Sequence, residues 1–76
     1  MLNNTKINKF KKLAEKRVTA AIKQISLIGN LSNKTYYEYS KEDVTKIRKA
    51  LETELKLAMA RFDLSIKRNE FRLSKK

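Results

Sequence analysis

Residues 29–40 read Gly-Asn-Leu-Ser-Asn-Lys-Thr-Tyr-Tyr-Glu-Tyr-Ser, and this stretch interrupts two long helical patterns. It begins with the only glycine of the chain, Gly29, and contains turn-prone Asn and Ser residues. We expect Gly29 to end the first helix in the left-handed conformation that glycine commonly adopts there. A connection over residues 29–40 between two helices of similar length predicts an antiparallel two-helix hairpin.

Apolar residues on both sides of this connection recur every three or four positions, the spacing of one helical face. The pattern predicts a first helix over about 5–28, a second over about 41–72, and a basic tail to residue 76. Asn4 or Thr5 is expected to cap the first helix, and Ser40 the second, with Asp43 as a weaker variant of the usual Glu partner. The fold class is therefore all-α, with a single domain over residues 1–76. The two apolar faces consist of Ile7, Phe10, Ala14, Val18, Ala21, Ile25 and Ile28, and of Val44, Ile47, Leu51, Leu55, Ala58, Phe62 and Ile66.

The composition makes an enzyme the least expected class. The 76 residues include no Cys and no His, so the usual general base and the commonest metal ligands are missing. A single glycine excludes the glycine-rich loops that hold phosphates. We expect a non-enzymatic protein with no metal, cofactor or small-molecule substrate. No apolar run approaches the ~20 residues of a membrane span, and the amino end lacks a secretory signal, which favours a cytoplasmic protein.

The net charge of +11 predicts a polyanionic partner: nucleic acid, a ribonucleoprotein or an acidic protein surface. Residues 1–17 carry a net +5 and residues 61–76 a net +4. An antiparallel hairpin would place these segments together as one basic pole, although solubilising lysines scattered by chance are an alternative. The candidate polyanion-binding residues are Lys6, Lys9, Lys12, Lys16, Arg17, Lys23, Arg61, Lys67, Arg68 and Arg72.

Within this set, Lys9, Lys12, Lys16 and Lys23 share one stripe of the first helix, roughly opposite its apolar face. Such a row can follow a phosphate backbone. The alternative is the solvated face that every amphipathic helix has.

A second apolar stripe recurs every seven residues on the second helix, away from its main face: Ala50, Leu57, Leu64 and Phe71. One partner helix cannot cover both faces. The stripe therefore predicts one of two interfaces. The first is a homodimer in which two hairpins form a four-helix bundle with a larger core. The second is a docking face for a different protein.

Three tyrosines, Tyr36, Tyr37 and Tyr39, lie in the connection. Aromatic rings can stack on unpaired bases. The interpretation we prefer is that they cover the end of the core together with Leu27 and Leu31.

The sequence also resembles a group of short bacterial and mobile-element helical proteins to which no activity is assigned. The resemblance spans about residues 10–62 and rests on Arg17-Val18, on Leu-Ile-Gly-Asn-Leu-Ser-Asn at 27–33, and on Tyr37-Glu38-Tyr39-Ser40. It continues through Asp43-Val44, Lys46-Ile47 and Arg61-Phe62. It implies a shared helical scaffold and no particular function.

Three functions remain open from the sequence, and the first is favoured narrowly over the second. The first is nucleic-acid binding with little sequence specificity through the basic residues. The second is a protein-interaction module, such as a phage or mobile-element inhibitor of the anti-CRISPR kind, or an accessory subunit of a nucleic-acid-handling complex. A purely structural role is the third possibility.

Overall fold

The computed structural model describes the backbone of residues 2–74 and the side chains of residues 4–68. Helix α1 spans Leu2–Gly29, a short 3-10 helix spans Asn30–Ser32, and helix α2 spans Lys41–Ser74. There is no strand within residues 2–74, so the all-α prediction is confirmed. The chain divides into two units, residues 1–38 and residues 39–76, which are described one at a time.

Helix α1 begins at Leu2, three residues before the predicted start. Asn4 and Thr5 therefore lie inside the helix, and the prediction that one of them caps it is wrong. Neither residue type breaks a helix, because Asn and Thr cost at most about 0.7 kcal/mol more than Ala at interior positions.

Gly29 does not take the left-handed conformation predicted for it. Its φ of −59° and ψ of −29° are right-handed helical values. The chain continues through Gly29 into the 3-10 helix and leaves helical geometry only at Asn33, where ψ reaches 105°. The helical hydrogen bonding therefore ends at Asn33, whose backbone is extended. Gly29 keeps a backbone conformation that any residue could adopt.

Asn33 organises the connection through its backbone and its side chain. Its backbone N–H donates to the carbonyl oxygen of Asn30 at 3.4 Å, and its own carbonyl accepts from the N–H groups of Tyr36 and Tyr37 at 3.2 and 3.0 Å. The side-chain Oδ1 accepts from the Thr35 N–H at 2.9 Å, which is the local bond that makes Asn a turn residue. The connection over residues 33–37 thus consists of hydrogen-bonded turns, where the sequence predicted a connection with turn-prone Asn and Ser but not which residue forms the turn.

Helix α2 begins with a reciprocal capping box. The Asp43 N–H donates to Ser40 Oγ at 3.1 Å, and the Ser40 N–H donates to Asp43 Oδ2 at 2.9 Å. The first helical bond follows, from the Val44 N–H to the Ser40 carbonyl at 3.2 Å. The predicted cap is confirmed, and Asp43 completes the box that Glu more often closes. Glu42 and Asp43 also place negative charge at the positive end of the helix dipole.

Helix α2 carries two apolar stripes with different periods. On the main face, Val44, Ile47 and Leu51 recur as Leu55, Ala58 and Phe62, a repeat of about eleven residues that drifts by roughly 20° over three turns, in the sense opposite to a seven-residue repeat. The second stripe repeats every seven residues and drifts by roughly 20° per repeat. A stripe of that period stays in contact with a partner helix when the two wind around each other as a left-handed coiled coil.

Apart from the half-buried Ile28, the large apolar side chains of both helices that the structure describes are exposed, and no residue from 4 to 68 is buried. Leu51, on the main face of α2, is 37% exposed, and most of the other large apolar side chains are exposed further. Apolar faces of this extent indicate surfaces that bind other helices or other molecules.

Candidate nucleic-acid and partner interfaces

The four lysines of the α1 stripe lie in one row on a single continuous helix. Lys9, Lys12, Lys16 and Lys23 are all exposed, and their wheel positions fall within roughly 60° of each other. At 1.5 Å per residue the row extends over about 21 Å, with neighbouring lysines about 4–10 Å apart along the axis. We call this row the α1 lysine row.

The apolar face of α1 lies on the side opposite the lysine row. The row therefore stays exposed to solvent when another helix covers the apolar face. Among residues 4–29 the only carboxylate is Glu15, which lies at the border of the row, roughly 60° from Lys12. The positive potential along the row is therefore nearly uncompensated within its own helix.

Lys6 and Arg17, also predicted to bind a polyanion, do not belong to the row. Both are exposed, but they lie roughly a quarter turn away, next to Phe10 on the border of the apolar face. They lie on the flank of α1 and add positive charge there.

The basic residues of α2 have a different arrangement from those of α1. Arg61 and Arg68 lie on one side of the seven-residue stripe, and Lys67 lies on the other side. All three are exposed. They flank an apolar surface and do not form a separate basic face. Arg72 falls outside the residues whose side chains the structure describes.

The seven-residue stripe on α2 is solvent-exposed over its described part. Leu57 is 55% and Leu64 57% exposed, and Ala50 is exposed as well. Phe71, the fourth predicted member, lies outside the described side chains. A shallow groove beside the stripe is lined by Ala60, Asp63, Leu64, Ile66 and Lys67.

Sequence reasoning missed the residues that border this stripe. Thr53 and Ala60 lie beside it at offsets of three and four, and both are small. Glu54 and Arg61 lie seven residues apart along one border of the stripe. Lys56 and Asp63 lie seven residues apart along the other border. The signal was present in the sequence as charges that alternate in sign at heptad spacing.

The three tyrosines of the connection differ in their exposure to solvent. Tyr36 is 77% exposed, Tyr37 is exposed and Tyr39 is partly buried. That they cover the end of a core with Leu27 and Leu31 stays a prediction. Tyr36 and Tyr37 contact each other edge to face, with ring centroids 6.4 Å apart. Their position follows from the turn at Asn33, which turns both backbone N–H groups toward one carbonyl.

No helix within the described part of the chain is long and apolar enough to cross a membrane. Among the described side chains, no three His, Cys, Asp or Glu residues lie together as a metal site would require.

No protein-family model matches this chain, and no curated protein or solved structure matches it.

Proposed function

We propose that this protein is a non-enzymatic nucleic-acid-binding protein of low sequence specificity and that the α1 lysine row is its main contact surface. The observation that supports the proposal best is the arrangement of Lys9, Lys12, Lys16 and Lys23 in one exposed row. Ammonium groups at such spacing pair with successive phosphates and release condensed counterions. Lysine is suited to this task because it is a point charge that needs no particular base geometry.

The association of the two helices, and of two copies of the chain, belongs to the same proposal. In it, the two helices form an antiparallel hairpin through their main apolar faces, and two hairpins associate as a four-helix bundle. This arrangement would cover the exposed apolar side chains of both helices while leaving the lysine row in solvent. It would also place residues 1–17 beside residues 61–76, where Arg61, Lys67 and Arg68 add positive charge.

The test compares two variants that each lose three lysines. Lys9, Lys12 and Lys16 are replaced by Gln in the first, and Lys34, Lys41 and Lys46 in the second, which serves as the control because its net charge is the same. Binding to fluorescent duplex DNA and single-stranded RNA is measured by anisotropy across a salt series. The row variant should lose about 2.7 units of the log–log salt slope on DNA, or roughly a hundredfold in affinity at physiological salt.

The control variant should keep most of its affinity and slope. Equal losses in the two variants would mean that only net charge matters and that the α1 lysine row is not a site. An absence of wild-type binding even at low salt would exclude nucleic acid as the partner.

A second candidate function rests on the exposed Leu57 and Leu64. In this alternative their stripe docks onto another protein, as expected of an inhibitor or an accessory subunit of a nucleic-acid-handling complex. Affinity capture from host lysate, with and without nuclease, separates the two candidates. Recovery of one discrete protein complex after nuclease treatment, lost in the Leu57→Glu variant, would favour the second candidate.

A further inference from the structure

We infer that the seven-residue stripe of α2 binds the same stripe of a second copy in one antiparallel register. This inference rests on the dimer proposed above and adds its orientation, its register and the residues that determine them. It uses no residue of the α1 lysine row. Because it does use Arg61 and Lys67, which are also candidate polyanion-binding residues, its tests are made without nucleic acid.

The first argument is the shape of the stripe. Leu57 and Leu64 project from a continuous helix, and the neighbouring positions on the same face hold the small residues Thr53 and Ala60. When two such helices run antiparallel, Leu57 can lie opposite the partner's Ala60, and Leu64 opposite the partner's Thr53. Each layer then contains one large and one small side chain, which lets the helices approach closely and fill the space between them.

The second argument is charge complementarity, which selects this register. With Leu57 opposite the partner's Ala60, Glu54 lies beside the partner's Arg61 on one border of the seam. On the other border, Lys56 lies beside the partner's Asp63. Two-fold symmetry repeats both pairs, so four oppositely charged pairs flank the seam. Charged residues at these border positions determine partner choice and orientation in coiled coils.

A parallel pairing of the same stripe is less complementary. It would pair Lys49 with the partner's Glu54 and Asp63 with the partner's Arg68, but it would also bring Lys56 beside the partner's Arg61, which is repulsive. It would further place Lys67 against the partner's Lys67 within the seam. In the antiparallel register Lys67 lies opposite the partner's Ala50 at each end. There the lysine stem can cover the small side chain while its ammonium group reaches water.

Charge reversal tests the register. Sedimentation equilibrium on the full chain, without nucleic acid, should give a wild-type mass of twice 8.9 kDa. Glu54→Arg turns two attractive pairs into repulsive ones and should raise the dimer Kd by about tenfold or more. Adding Arg61→Glu to the same chain restores opposite charges across the seam and should restore the dimer. Glu52→Arg is the matched control, because it makes the same charge change on α2 away from the stripe.

Cysteine cross-linking tests the orientation and is unambiguous because the chain has no native Cys. Leu57→Cys mixed with Ala60→Cys should form a disulfide-linked heterodimer, whereas either variant alone should cross-link poorly. Efficient cross-linking of Leu57→Cys with itself would overturn the antiparallel register. The register would also be overturned if the wild type dimerises but Glu54→Arg raises the dimer Kd no more than Glu52→Arg does. The dimer itself would then still stand. A wild-type monomer at all concentrations would overturn both, and nucleic-acid binding would still stand.

Discussion

Two hydrogen bonds between Ser40 and Asp43 determine where α2 begins. They satisfy backbone N–H groups that the first turn of a helix leaves without intrahelical partners. Neither group is buried, so the bonds compete with water and contribute modestly.

Ser40→Ala removes the oxygen that accepts from the Asp43 N–H and should lower the free energy of unfolding by about 1 kcal/mol. Thermal and urea unfolding followed by circular dichroism measure the change. Ser65→Ala is the control, since Ser65 lies within α2, where Ala is the better helix former. A Ser40→Ala variant as stable as Ser65→Ala would contradict the capping box.

Gly29 provides a test of opposite sign. Its backbone is right-handed helical, and a Cβ added there would have no atom within 4 Å. Gly29→Ala should therefore stabilise the protein by about 0.4–1 kcal/mol, because alanine restricts the unfolded chain without strain in the folded one. The same unfolding measurements apply. Destabilisation by about 1 kcal/mol would instead indicate the left-handed conformation expected from sequence.

These two residues show what local sequence could and could not predict. The cap at Ser40 was predictable because its partner lies three residues away and the bonds are local. The conformation of Gly29 was not, because a helix can end in several ways, and the choice depended on the turn that Asn33 makes further along the chain.

At the scale of the helices, α2 carries two apolar stripes to which the proposals assign different roles. The main face was predicted from its spacing of three and four residues. The heptad stripe was also found, but the four bordering charges were not, since a repeat of single charges is inconspicuous in a chain with 36% charged residues.

The two stripes should respond differently to the same substitution. Leu55→Glu places a carboxylate on the main face and should reduce helicity and lower the melting temperature by several degrees, because it disrupts the proposed hairpin. Leu57→Glu should retain the helical circular dichroism signal and instead shift the mass toward that of the monomer. Circular dichroism and sedimentation on the two variants measure both effects. Identical behaviour of the two variants would refute the division of roles.

At the scale of the whole molecule, the proposed grouping of the basic residues of α1 and α2 depends on how the helices associate. The sequence alone could not establish that association. The helical elements and the α1 lysine row follow from periodicity within one helix. The association of helices depends on contacts between distant segments or between copies, which local patterns do not specify.

The central proposal is that positive charge on α1 binds nucleic acid through phosphates, and its most direct test is a salt titration of the wild-type protein. The affinity for duplex DNA is measured by fluorescence anisotropy from about 50 to 200 mM salt. Four phosphates neutralised by the lysine row alone predict a log–log slope of about −3.6, and steeper if the flanking basic residues also contribute. A slope near zero, or no binding at the lowest salt, would contradict the proposal.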